Sequence, residues 1–372
     1  MSHAATDPAV DATTEPGLDA IVSHLERLVS FDSQNPPREI DGEHPMFGYL
    51  TSKLRGFDID ITDHGDGHVS YLARRGRPRL LFNVHLDTVP VGEGWSTDPL
   101  ELVVKDGRAY GRGSCDIKGA AACLLDLAET TDIPLALLFT SDEEGSGGCC
   151  VKRFCDGLNP GEYELVVVAE PTSCRVVTAH RGYLSVIGKF TGVAGHSSDL
   201  RGIKDNALHD FARWAGAAVE LVEREHPDSR FNLGRVDGGI KSNVIADNVH
   251  VAYSARLAPG SDSDEFLKVS TSAGADLLSR QPTWEVPFLG PPLPAPGVDP
   301  APAIAFAESI GLPLGEAVGF WTESSLFSAA GLQTFVLGPG DIALAHAIDE
   351  WVPLADLATA RAQYEQLARN HD

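Results

Sequence analysis

No stretch of this chain approaches the roughly 20 consecutive apolar residues that a membrane-spanning helix needs, so a helical membrane protein is excluded. Lysine is scarce: Lys53, Lys105, Lys118, Lys152, Lys189, Lys204, Lys241 and Lys268 are eight of 29 basic residues. Set against 53 acidic residues, they leave a formal net charge of −24. That charge argues against nucleic acid and anionic membranes as partners. Lysine-poor acidity fits a salt-rich cytoplasm, and fits as well an acidic surface kept for solubility. The six cysteines follow no zinc-binding spacing, and Met1 to Gly17 contains no apolar signal segment. They are expected to be reduced thiols in a cytoplasm. Residues 1–17, acidic and rich in Ala and Thr, are expected to form a disordered tail. No G-x-G-x-x-G follows the first strand, which excludes a dinucleotide-binding unit. There is no internal repeat.

What the chain does have is length and apolar material: 372 residues, 43% of them hydrophobic, enough for two or three domains with a sizeable core. The most informative stretch runs from Leu80 to Pro90. It opens as a short apolar run, the pattern of a strand buried on both faces. It ends on His85 and Asp87, then on Pro90, which cannot continue a sheet. In open α/β sheets, ligands bind outside the carboxyl ends of the strands. In extended chain His85 and Asp87 point the same way, and a carboxylate behind an imidazole orients a metal-ligating histidine. The pair also reads as a core histidine with an N-capping aspartate.

Helical periodicity is expected over Ile21–Leu28, Met46–Leu54, Ala120–Ala128, Ala207–Arg224, Phe266–Leu278, Ala303–Ile310 and Leu354–Arg369. Strands are expected over Val69–Arg74, Leu80–Val84, Leu135–Thr140, Leu165–Ala169, Tyr183–Thr191, Phe231–Val236, Val249–Leu257 and Thr334–Leu337. Pro287–Pro302 reads as a linker, and His24, His64 and His226 as surface residues.

His85, Asp116, Glu143, Glu144, Glu170 and His346 share one feature. Each lies just after an apolar run or just before a helix. Four of those runs read as buried strands whose carboxyl ends would converge on one rim. Two histidines and three carboxylates are ligand types suited to a pair of Zn²⁺ or Co²⁺ ions, with one carboxylate bridging.

Six pieces in order carry a resemblance: 85–90 (HLDTVP), 111–119 (GRGSCDIKG), 142–144 (DEE), 170–172 (EPT), 195–197 (GHS), and 338–346 from Gly-Pro-Gly to His346. Together they resemble the dinuclear-zinc aminoacylase and peptidase family that includes acetylornithine deacetylase and succinyl-diaminopimelate desuccinylase. The resemblance spans the chain from about Ile21. Within the family, the runs 234–241 and 320–323 look most like the acetylornithine and N-acetylcitrulline deacetylases.

The resemblance implies an α/β catalytic domain with a mostly parallel sheet flanked by helices, discontinuous over 18–181 and 289–372. It also implies an inserted α+β lid and dimerisation domain over 182–288. Asp116 would bridge two divalent ions, Zn²⁺ or Co²⁺. His85 and Glu170 would hold one ion, Glu144 and His346 the other. Glu143 would be the general base and Asp87 the partner of His85. His196 would reach the active site of the partner subunit in a homodimer. Arg181, Lys241, Asn243 and Arg256 are candidates for touching the substrate, Arg256 and Lys241 for holding its α-carboxylate, or else ordinary ion-pair residues. Cys115, beside Asp116, reads as a small buried filler, or else as an adventitious metal ligand. The expected reaction is hydrolysis of the amide of a small N-acyl amino acid. The alternatives are an N-succinyl desuccinylase, a dipeptidase or carboxypeptidase, and a catalytically dead ligand-binding homologue.

Overall fold

A computed structural model describes residues 17–37, 40–146, 149–159 and 161–371. The tail expected over 1–17 therefore lies, apart from Gly17, outside the described residues. The chain forms two compact units. The first takes the chain up to Ser141, Ala169–Arg175, and the stretch from Leu337 onward; the second takes Asp142–Val168 and Val176–Val336. Strands and helices are numbered along the chain.

In the first unit, β1 (Asp58–Asp63) and β2 (Val69–Arg75) pair as an antiparallel hairpin. β2 pairs antiparallel with β6 (Leu135–Thr140), and β6 pairs in parallel with β3 (Leu80–His85). Every residue of β3 and β6 is buried, as in strands covered on both faces. The Ala- and Leu-rich helix α3 (Gly119–Thr130) is apolar almost all round and buried from Gly119 to Ala128. It packs against α1 (Leu18–Val29) and α10 (Leu354–Asn370). α1 contributes its stripe of Ile21, Leu25 and Leu28, the spacing of one helix face. His24 shares that buried face rather than the surface expected for it. Its Nδ1 bonds the Tyr49 hydroxyl at 2.8 Å, and its Nε2 lies 3.1 Å from Glu129. α2 (Pro45–Lys53) opens on a proline, which has no N–H to lose there. A small second sheet joins β4 (Val103–Lys105), β5 (Arg108–Tyr110) and β15 (Trp351–Pro353).

In the second unit, β7 (Leu165–Val168) pairs in parallel with β14 (Gln333–Val336). The helices α4 (Glu143–Ser146), α5 (Cys149–Gly157), α8 (Ala301–Ser309) and α9 (Ser324–Ala329) belong to it as well. Within it, residues 182–290 hold an antiparallel four-stranded sheet and two helices. Its strands are β8 (Gly182–Thr191), β10 (Arg230–Gly238), β12 (Asn248–Leu257) and β13 (Thr283–Gly290), in the order β10-β12-β8-β13. The helices are α6 (Ala207–Glu225) and α7 (Ser263–Ser272). Leu184, Val186 and Phe190 alternate along β8 and meet Trp214, Ala218 and Val222 of α6 and Phe266 of α7. Trp214 is fully buried yet keeps its polar handle satisfied, its Nε1 donating to the Ser270 carbonyl at 2.9 Å. Side-chain caps start both helices: Asn206 accepts from Leu208 N–H, and Asp262 from the N–H groups of Asp264 and Glu265. A two-residue pairing joins β9 (Gly195–His196) to β11 (Val244–Ile245).

Pro287 departs from the expectation of a linker, because it lies within β13. It falls at the register shift between Glu285 and Phe288, on an edge strand, where a missing N–H breaks no ladder bond. Among the described residues, no helix is long and apolar enough to cross a membrane.

Candidate metal centre

The register of β3 against β6 sets His85 opposite Thr140, so two parallel strands end side by side. The Ala169 N–H donates to the Asn83 carbonyl at 3.0 Å, which lays the segment carrying Glu170 along β3. The chain leaving β6 is pinned at Ser141. Its hydroxyl accepts from Val69 N–H at 2.8 Å and donates to the Gly67 carbonyl at 2.7 Å. Two residues later Glu143 and Glu144 open α4, both half-buried.

Asp116 arrives on a loop that only glycine permits at Gly113. There φ is 80°, and a Cβ would lie 2.9 Å from Thr88 Cγ2 and 3.0 Å from Lys118 Cδ. The loop carrying His346 is fixed in a similar way at Gly340. Its φ is 86°, and a Cβ would lie 2.5 Å from the buried Cys115 sulfur. Cys115 is thus a filler; its thiol donates to the Asp341 carbonyl at 3.4 Å, and burial pushes its pKa well up. The Lys118 ammonium is also buried and donates to the Phe31 carbonyl at 3.0 Å. Burial pushes it down to about 8.

These loops gather His85, Asp87, Asp116, Glu170 and His346 within the first unit. His85 Nδ1 lies 3.0 Å from the Asp87 carbonyl oxygen and 3.5 Å from the Asp87 carboxylate. The main chain of Asp87, more closely than its side chain, therefore orients the imidazole. A proton on Nδ1 donated to that carbonyl leaves Nε2 as the nitrogen that could take a metal ion. Nε2 faces Asp116 Oδ1 at 3.0 Å and Glu170 Oε1 at 3.5 Å. The other Asp116 oxygen, Oδ2, lies 3.1 Å from His346 Nε2. One carboxylate thus faces two imidazoles, one oxygen to each. His346 itself is exposed, with a left-handed backbone at φ 61°.

The electrostatics follow from burial. Burial alone would discharge His85, but Glu170, Asp116 and Asp87 outweigh it and raise its pKa well above the usual histidine value. Burial likewise opposes ionisation of Asp116, yet hydrogen bonds with His346 and His85 hold its carboxyl below the usual range. Donor atoms of His85, Asp116 and Glu170 lie within 4.8 Å of one another, all three residues buried. Buried carboxylates converging on one imidazole form surroundings that a cation stabilises, and the donor types fit a divalent transition metal.

Arg112 and Glu350, a buried ion pair at 2.7 Å, were not singled out in the sequence. No local spacing links two residues 238 positions apart. The candidates in the second unit fall into two groups. His196 lies exposed on β9, its Nδ1 2.8 Å from the Ser198 hydroxyl. Beside it is the loop of Lys241 and Asn243, the Asn243 carbonyl accepting from Ser197 N–H at 3.1 Å. Arg181 and Arg256 sit at the opposite end of β8. Arg256 stacks 4.2 Å over the Tyr183 ring, and Arg181 donates to the Asp228 carbonyl at 2.7 Å. β8 has ten residues, a span of about 30 Å at ~3.3 Å per residue. Lys241 and Arg256 of one chain therefore do not hold one small substrate together.

Two histidines and two carboxylates gathered in this way are donor types that could serve a metal-dependent hydrolase. The chain belongs to the M20/M25/M40 peptidase family, whose pattern matches residues 81–370. It is 46% identical over 353 residues to a Xanthomonas campestris pv. campestris protein described as N-acetyl-L-citrulline deacetylase, covering 91% of this chain and 95% of that one. Among solved structures it resembles aminopeptidase PepT of Bacillus cereus, with a TM-score of 0.72 at 19% identity over 95% of this chain and 99% of that one. It also resembles a Bacillus subtilis protein described as a dinuclear metal-binding peptidase of family M20, with a TM-score of 0.65 at 13% identity over 95% and 97% of the two chains. At these identities the structural likeness shows the fold. Family and relative together make this chain a metal-dependent amidohydrolase.

Asp116→Ala removes a carboxylate that faces both imidazoles, one oxygen to each. Elemental analysis after loading with Zn²⁺ is expected to find almost no metal in Asp116→Ala and a partial loss in Glu170→Ala. A fully loaded Asp116→Ala protein would contradict the shared role.

Proposed function

We propose that this chain hydrolyses the acetyl amide of N-acetylcitrulline or N-acetylornithine, releasing acetate and citrulline or ornithine, as a cytoplasmic step of arginine biosynthesis. The observation that carries the substrate is the 46% identity to a protein described as N-acetyl-L-citrulline deacetylase. His85 and Glu170 would hold one divalent ion, Glu144 and His346 a second, and Asp116 both; Zn²⁺ and Co²⁺ suit these donors. When bound, such a pair supplies a water of lowered pKa and a Lewis acid for the amide carbonyl.

The remaining work falls to side chains. Glu143 takes the proton of the attacking water and returns it to the nitrogen of the leaving amine, so one carboxylate serves as base and then as acid. Asp87 holds His85 in orientation. His196 donates to the oxygen that gains charge as the tetrahedral intermediate forms. Lys241 and Asn243 lie beside His196 and are proposed to act with it; Arg181 and Arg256 are proposed for the substrate carboxylate.

His196 is proposed to act in the site of a second subunit, through a homodimer formed by the domain spanning 182–288. Exposed apolar side chains support this: Leu200 (87% exposed), Ile203 (63%) and Ile240 (80%) flank the segments that carry His196 and Asn243. Exposed apolar residues gathered in this way mark an interaction surface.

Amine release measured over N-acetylcitrulline, N-acetylornithine, N-succinyl-diaminopimelate and simple dipeptides tests the substrate. An N-acetyl substrate is expected to give the highest kcat/KM. A clear preference for the succinyl compound or a dipeptide would overturn the proposal. The shared site has its own test. Glu143→Ala and His196→Ala homodimers should each be nearly inactive, the former losing about 10²–10⁴-fold. Co-refolded in equal amounts, half the dimers are mixed and each mixed dimer holds one intact site, so roughly a quarter of wild-type activity should return. Verified heterodimers with no recovered activity would confine His196 to its own chain.

A further inference from the structure

Glu350 directly precedes β15 and is 1% exposed. Its Oε2 accepts from Arg112 Nη1 at 2.7 Å and from Gly113 N–H at 3.1 Å. Its Oε1 accepts from the N–H groups of Cys115 at 2.8 Å and of Asp116 at 3.0 Å. Its main-chain carbonyl takes Gly111 N–H at 3.0 Å and the Ser114 hydroxyl at 3.4 Å. This one residue therefore receives a donor from every position between 111 and 116. Arg112 continues the network: Nη2 lies 3.4 Å from both the Pro90 and Val91 carbonyls, and the guanidinium stands 5.0 Å over the Trp95 ring. Four residues before Glu350, the same loop carries His346. The loops bearing Asp87, Asp116 and His346 are thus tied through one buried pair.

We infer that Glu350 is the positioning residue of the Asp116 carboxylate: it fixes the main chain of Asp116 so that one oxygen meets His85 while the other meets His346. The inference rests on the reading of Asp116 as a ligand shared by two ions. Only a carboxylate suits the task. Each oxygen accepts two donors, whereas glutamine offers one acceptor oxygen and turns an NH₂ group toward the other two. Those donors lose their partner in a site closed to water. Arg112 touches only one of the two oxygens and does not reach Asp116. It neutralises the charge of Glu350 without aiming the ligand.

The test compares Glu350→Gln and Arg112→Lys with the wild-type protein, each stripped of metal and titrated with Zn²⁺ against a chromophoric chelator. Titrations are run where circular dichroism shows each variant folded. Loss of an outer partner of a ligand typically costs about 10–100-fold in metal affinity. Glu350→Gln is expected to weaken Zn²⁺ binding by that factor and to speed hydrogen exchange at the Cys115 and Asp116 amides. Arg112→Lys, which keeps the Glu350 bonds to the main chain, should weaken binding less. A folded Glu350→Gln protein that binds Zn²⁺ as tightly as the wild type overturns the inference, even with a lowered Tm. If Glu350→Gln does not fold, Glu350→Asp, which keeps the charge, takes its place; unfolding of both variants would make Glu350 a stability residue and overturn the positioning role. Wild-type protein that binds no Zn²⁺ would overturn the metal reading and this inference with it.

Discussion

The Asp116 carboxylate, nearly closed to solvent, stands between the imidazoles of His85 and His346 with one oxygen toward each. A buried carboxylate costs several kcal/mol in lost hydration, a cost that the hydrogen bonds with His346 and His85 offset. The arrangement persists because its neighbours are fixed from several directions. β3 ends at His85 with the end of β6 opposite it, a third segment brings Glu170 beside it, and loops that admit only glycine at Gly113 and Gly340 shape the approach of Asp116 and His346. Such convergence matters for catalysis by amide hydrolases, where rate depends on charge held in place before the reaction begins.

The parts of the fold that were legible in the sequence are those buried on both sides. β3, β6 and β7 are mostly apolar and buried throughout, so a nearly continuous run was enough to find them. α3 was legible because Ala and Leu fill all its faces. β1 was not, because it alternates Asp with Ile and lies on the sheet edge with most of its side chains in water. Its only strand signal is its pairing with β2. β13 was hidden by Pro287, which reads as a breaker unless the edge position and the register shift are known. His24 was hidden because a lone histidine on an amphipathic helix does not announce that Tyr49 and Glu129 will meet it.

Candidate ligands were easier to find than the residues around them. A histidine or carboxylate at the end of an apolar run carries its position in the local pattern. Glu350 does not: its significance lies in contacts with residues more than 230 positions earlier. The division of the cationic candidates into two groups was invisible for a similar reason. Lys241 and Arg256 are close in sequence, but the register of β12 against β8 carries them to opposite ends of the sheet. If both groups serve one small substrate, the proposed dimer would bring them together from two chains.

The account turns on Asp116 being shared by two metal ions. An anomalous-difference map from crystals grown with Zn²⁺, recorded on both sides of the zinc absorption edge, measures this directly. The account predicts two peaks about 3.5–4 Å apart, one on each oxygen of Asp116, the first beside His85 and Glu170 and the second beside His346. A single peak, or a pair of peaks that Asp116 does not join, would contradict it.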